Sequence, residues 1–260
     1  TISAILGGTG VALTKSGAGT LTLSGANSYT GATNINAGTL ALSGSLSTST
    51  NVVMSGTSVW DLQVAQTIAS LTMASGNSIT NTTGTSSLTV SGTSTLSNSI
   101  TTSGIQTYSG AVTLGANTTL NTTNSAVTFS SGVTGSGKAL TVNAGSGDIT
   151  MSTVGVSGTA VGAVALNSTG ITTLGGAVYA SSVTTNAGGS VAINTANITT
   201  SGAQTYNDAV VLGVNTTLTT TDSAVTFADA VTGSAKALTV NAGSGAINMA
   251  AMGTSGAYLG

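Results

Sequence analysis

The 260 residues could form one large all-β domain or two smaller ones. Charged residues make up only 3% of the chain, and Cys, His, Pro, Arg and Glu are absent. That leaves Asp, Lys and Tyr as the only groups for acid–base chemistry, and a net charge of −2 offers no basic patch for nucleic acid or an anionic membrane.

Forty per cent of the residues are apolar, which is the wrong signature for a disordered chain. Thr, Ser, Asn and Gly dominate and are poor helix formers, so the class expected is all-β. No run approaches the ~18 apolar residues of a transmembrane helix, and Thr1 does not open a signal peptide, so any export signal is expected outside this segment.

Short apolar–polar–apolar triplets recur along the chain: Leu21-Thr-Leu23, Leu40-Ala-Leu42, Leu71-Thr-Met73, Leu88-Thr-Val90, Leu140-Thr-Val142 and Val164-Ala-Leu166. This period-2 pattern predicts strands with one buried face, and the Gly, Asn and Ser clusters between them are turn chemistry. Separations near 20 residues match one coil of a solenoid, which buries its apolar face only by stacking on its neighbours. A sandwich or barrel, the competing architecture, calls for longer strands and two-residue hairpin turns.

A longer period lies over the short one. Ile100 to Met151 returns without gaps at Ile198 to Met249, with 39 identities in 52 positions at an offset of 98. A weaker continuation aligns Gly155, Gly158 and Gly162 with Gly253, Gly256 and Gly260. The expected organisation is a single β-solenoid over 1–260: N-terminal coils at 1–99, a first copy at 100–197 and a truncated second copy at 198–260. The cut within a repeat is read as a fragment of a longer array, with no C-terminal cap.

The segment Ser16 to Ser45 follows the pattern GxGTLTLSGxNxYTGxTxIxxGTLxLS through Gly17, Gly19, Leu21, Leu23, Asn27, Tyr29, Thr30, Gly31, Ile35, Gly38, Leu40 and Leu42. It resembles the autotransporter-associated β-strand repeat of type V secreted passengers. The stretches ANTTLNTT, SAVTF and ALTVNAGSG look like the looser repeats of filamentous-haemagglutinin-type surface proteins. The resemblance implies a right-handed parallel β-helix on a bacterial cell surface or secreted, acting as a stalk in adhesion, aggregation or biofilm. A translocator barrel, a two-partner secretion domain and an RGD motif are not seen.

The residues suit such a stack. Pro would remove a ladder hydrogen bond, and a charge repeated in each coil would form a repelling column. Asn36, Asn143, Asn186 and Asn241, each before Ala-Gly, are candidates for asparagine ladders between coils or for isolated left-handed or Asx turns.

No catalytic, cofactor-binding or metal-binding residue is assigned, no cofactor is expected, and the chain is read as a non-enzyme. Asp208, Asp222 and Asp229 sit in the second copy opposite Gly110, Asn124 and Ser131, and Asp148 opposite Ala246, so they form no repeated site and are read as solvated loop charges. Lys138 and Lys236 are read as turn lysines, with an isopeptide crosslink as the other reading. Tyr108, Tyr206, Phe129, Phe227 and Trp60 are expected at core or stacked positions rather than on a sugar-binding platform, and Trp60 beside Asp61 is the best of them for an exposed contact. The Thr-rich runs Thr118 to Thr123 and Thr216 to Thr221 carry a remote ice-binding alternative, beside a glycan-acting β-helix and a self-assembling extracellular filament. Expected partners are neighbouring repeats of the same or another chain and a host or sibling-cell glycan or protein, without nucleic acid or membrane insertion.

Overall fold

A computed structural model of the protein describes residues 1–253; the continuation of the repeat through Gly256 and Gly260, and the uncapped terminus with it, lie outside the described residues. The described chain is all β, with no helix and 28 short strands. It divides into two compact units, Thr1–Ser131 and one beginning at Gly132.

In the first unit each coil lays strands onto three parallel stacks. One stack runs through Leu13–Lys15, Thr33–Ile35, Asn51–Met54 and Ser70–Met73. A second joins Thr20–Leu23, Gly38–Leu42, Ser58–Leu62 and Ser78–Thr80. The third joins Gln66–Ile68, Leu88–Val90, Gln106–Tyr108 and Val127–Phe129. Strands meet residue for residue, Leu21 on Leu40 and Thr89 on Thr107, so the triplets read from the sequence become rungs.

The second unit is built alike. Leu140–Gly145, Val161–Ser168, Val178–Thr185 and Gln204–Tyr206 form one stack, and Ile149–Met151, Ile171–Leu174, Ser190–Ile193 and Ala209–Leu212 another. The third runs from the first half of Val178–Thr185 through Asn197–Thr200 and Thr216–Thr220 to Leu238–Asn241. Each unit is a β-solenoid of parallel strands, and among the described residues every pairing between strands is parallel, unlike the hairpins of a sandwich.

Alternation decides what fills the interior. In Val127–Phe129 the outer residues are buried and Thr128 faces out; Gln106–Tyr108 and Leu88–Val90 repeat the pattern. Register then aligns buried residues into columns such as Leu40, Trp60, Ile79, Ile100 and Leu120, all with no exposed surface. Burying each of these side chains stabilises the stack by about 1.5–3 kcal/mol.

Corners are tight. In the four Asn-Ala-Gly turns the glycine, not the asparagine, takes the left-handed backbone: Gly38, Gly145, Gly188 and Gly243 all have positive φ. At Gly38 a Cβ would lie 2.5 Å from the carbonyl oxygens of Gly17 and Gly19 in the coil beneath, so only glycine lets the two coils close. Of the asparagines, Asn143 accepts a hydrogen bond from the Asn167 amide at 2.8 Å, a true asparagine rung. Asn36 accepts from the Ser55 hydroxyl and Asn186 from the Ser168 backbone amide. Asn241 lies in register with Thr219.

Candidate functional site

The polar groups that the stack buries come first, because burial without partners is costly. Gln106 and Gln204, equivalent in the 98-residue repeat, are fully buried and make the same network. The Gln204 amide donates to the Ile198 carbonyl, the Thr200 hydroxyl and the Thr219 carbonyl at 3.3, 3.2 and 3.0 Å, and its oxygen accepts from Tyr206 at 3.0 Å. Gln106 repeats this with Ile100, Thr102, Asn121 and Tyr108.

Each tyrosine stacks on the phenylalanine of the next coil, Tyr108 on Phe129 and Tyr206 on Phe227, with centroids 5.2 Å apart. Burial pushes both phenols far above their ordinary range. These four aromatics are core, as the sequence suggested, and the glutamines beneath them are a part of the site that sequence reading missed.

Trp60 is core like those four aromatics, and not the exposed contact that its place beside Asp61 also offered. Register puts it between Leu40 and Ile79 in the interior column with no exposed surface, and its indole N–H has no partner. Asp61, its neighbour, faces the other way yet is only 6% exposed. It accepts hydrogen bonds from the Thr82 amide at 2.9 Å, the Thr82 hydroxyl at 2.6 Å and the Gln63 amide at 2.7 Å. Burial alone would raise its pKa, but these bonds to the charged form outweigh it and hold the carboxyl below its ordinary value.

A carboxylate with a lowered folded pKa stabilises the fold above the unfolded-state pKa, and that contribution disappears as pH falls through the folded value. Urea-unfolding midpoints are therefore expected to drop below about pH 4, and Asp61→Asn to flatten that acid limb. At neutral pH, Asp61→Ala strands the Thr82 and Gln63 donors and is expected to cost about 1–3 kcal/mol.

The remaining charges are scattered. Asp208 is 1% exposed rather than solvated, with one oxygen accepting from the Gly189 amide at 2.8 Å and the other buried without a partner. It precedes Ala209–Leu212, the strand that stacks on Ser190–Ile193, so its carboxylate meets the Gly189 amide of the coil before it. Asp222 is exposed, takes a left-handed backbone like its counterpart Asn124, and is held below its ordinary pKa by the Ser244 amide at 2.8 Å. Exposed Asp229 accepts from the Ala230 amide, and Asp148 from Ile171.

Asp208, Asp222 and Asp229 thus bind three separate pieces of backbone. Among the described residues no three acidic side chains converge on a metal position. Lys138 and Lys236 each close a turn through their backbone amide, onto Gly135 and Gly233. Lys15 is the buried exception, heading the interior column of Ile35, Met54 and Met73. Its ammonium donates to the carbonyls of Ser16, Gly17 and Ala37 at 3.3, 2.6 and 2.9 Å, satisfying all three donors. The threonine runs alternate: Thr118, Thr216 and Thr220 point in, and Thr119, Thr217 and Thr219 are half-exposed.

One open groove stands out in the second unit. Its volume is about 360 Å³, and Val156, Ser157, Gly158, Tyr179, Thr199 and Ser201 are among its walls. The Val156–Thr159 turn, closed by reciprocal backbone hydrogen bonds, projects beside it. Gly155 seats the turn: its φ is 66°, and a Cβ would lie 2.1 Å from the Tyr179 carbonyl oxygen.

Compared with known proteins, residues 13–42 match the model of the passenger-associated-transport-repeat family. No curated protein and no solved structure matches the chain. The matched residues are the coils from Leu13–Lys15 to Gly38–Leu42, with Lys15 and Gly38 at their corners. The chain is a β-solenoid repeat protein that carries a passenger-associated transport repeat at residues 13–42.

Proposed function

We propose that the chain is a structural and adhesive segment of a bacterial extracellular surface protein, a β-helical stalk that acts mechanically and not catalytically. The observation that carries this reading is the passenger-type repeat itself, whose residues form ordinary coils of the stack rather than a module set apart from it. Uncharged Thr, Ser and Asn cover the outward face, and buried Lys15, Gln106 and Gln204 spend their donors chiefly on main-chain carbonyls. That arrangement gives rigidity, with neighbouring coils or cell-surface molecules as partners.

Antibodies raised against residues 1–260 test the placement. On intact source cells they are expected to label the surface, and external protease is expected to remove the label. Label that appears only after lysis overturns the reading. Deleting these coils in frame from the parent gene is expected to lower cell aggregation or attachment, and unchanged attachment removes the adhesive half of the proposal.

A further inference from the structure

We infer that the groove beside Tyr179 is a binding site for a neutral saccharide; this deepens the adhesive reading by giving it a contact point and a ligand class. Of the four tyrosines among the described residues, Tyr29, Tyr108 and Tyr206 are buried, and Tyr179 alone reaches solvent. Its register continues outward through Thr199, Thr219 and Asn241, a row of hydroxyl and amide groups one coil apart.

The chemistry of the walls selects the ligand. Tyr179 and the 46%-exposed Val156 supply an aromatic and an aliphatic surface, while Ser157, Thr199 and Ser201 supply hydroxyls. A pyranose ring has the same division, with C–H faces that pack on an aromatic ring and a rim of hydroxyls that exchange hydrogen bonds. No Asp or Lys lines the groove, so an ionic ligand finds no counter-charge there. A purely apolar ligand would strip water from the Ser and Thr hydroxyls without replacing it. The volume sits at the lower end of the ~300–1,000 Å³ typical of small-molecule sites, which fits a short oligosaccharide.

The groove is also built rather than incidental. Val154 is bridged to Val133 on one side and Val178 on the other, which fixes the stem of the projecting turn within the ladder. The Tyr179 amide donates to the Val154 carbonyl at 2.7 Å, and Gly155 lets the turn lie against the Tyr179 backbone. Wall and floor are thus held in one arrangement before any ligand arrives, which lowers the entropy lost on binding.

The test is a glycan array carrying neutral, sialylated and sulfated oligosaccharides, probed with the purified 260-residue protein, followed by saturation-transfer NMR and calorimetry on the retained sugars. Neutral oligosaccharides are expected to be retained, with Tyr179→Ala weakening them about tenfold or more, the loss of one stacking contact. Tyr179→Phe is expected to keep most of the affinity, and circular dichroism to show all variants folded. Retention of acidic glycans alone, retention of none, or affinity indifferent to Tyr179→Ala overturns the inference. These outcomes are read in solution, so they are separable from cell-surface labelling, which judges the stalk.

Discussion

Replacing Trp60 with alanine is expected to lower stability by about 3–5 kcal/mol, the most damaging single substitution in the first unit. The side chain has no exposed surface and is sandwiched by register between Leu40 and Ile79. Coils locked to each other by main-chain ladders cannot collapse around the hole, so the cavity cost stays near the upper end of its range. Trp60→Phe is a sharper probe. It also loses volume, but it removes an indole N–H buried without a partner, which offsets part of the loss. The expected cost is about 1 kcal/mol or less, measured by urea unfolding followed by circular dichroism, since the sole tryptophan is gone. A cost for Trp60→Phe equal to that for Trp60→Ala would show that the indole has a partner after all.

The second large effect is at the repeated glutamine. Gln204→Ala removes an amide whose two hydrogens are shared among three acceptors and leaves the Tyr206 hydroxyl buried and unpaired, for an expected loss of about 2–4 kcal/mol. Tyr206→Phe strands only the glutamine oxygen and is expected to cost about 1 kcal/mol. Because Gln106 makes the same contacts, Gln106→Ala is expected to match Gln204→Ala within about 0.5 kcal/mol. Unequal losses would show that the two networks, alike in geometry, differ in strain or in access to water.

Much of the architecture was legible in the sequence because the solenoid speaks a local language. Leu88-Thr-Val90 and Leu140-Thr-Val142 alternate as strands must, and the absence of Pro leaves every rung free to donate. Partners of buried polar groups were not legible. Asp61 is satisfied by Thr82 and Gln63, Lys15 by Ala37 as well as its own turn, and Gln204 by Thr219 fifteen residues on.

Those pairings depend on coil length and corner geometry, which no triplet records, so Asp208 was read as a solvated loop charge when it is buried. Trp60 is core, as its size and rarity suggested, but the secondary reading of it as an exposed contact fails for a related reason: in Ser58–Leu62 three consecutive residues are buried, and alternation does not say which one faces the core. Tyr179 drew no attention because its exposure follows from the Val156–Thr159 turn, a projection that the surrounding Gly, Ser and Thr did not distinguish from any other corner.

The residue-for-residue register also governs how such a chain can change in length. One residue inserted within a strand turns every later side chain of that strand to the opposite face, exposing a column that had been dry. Twenty residues inserted as a complete lap, the distance from Leu13 to its partner Thr33, leave every contact above and below intact. Growth and shrinkage by recombination are therefore quantised: only whole laps survive, and the two near-identical stretches 98 residues apart have the form such an event leaves behind.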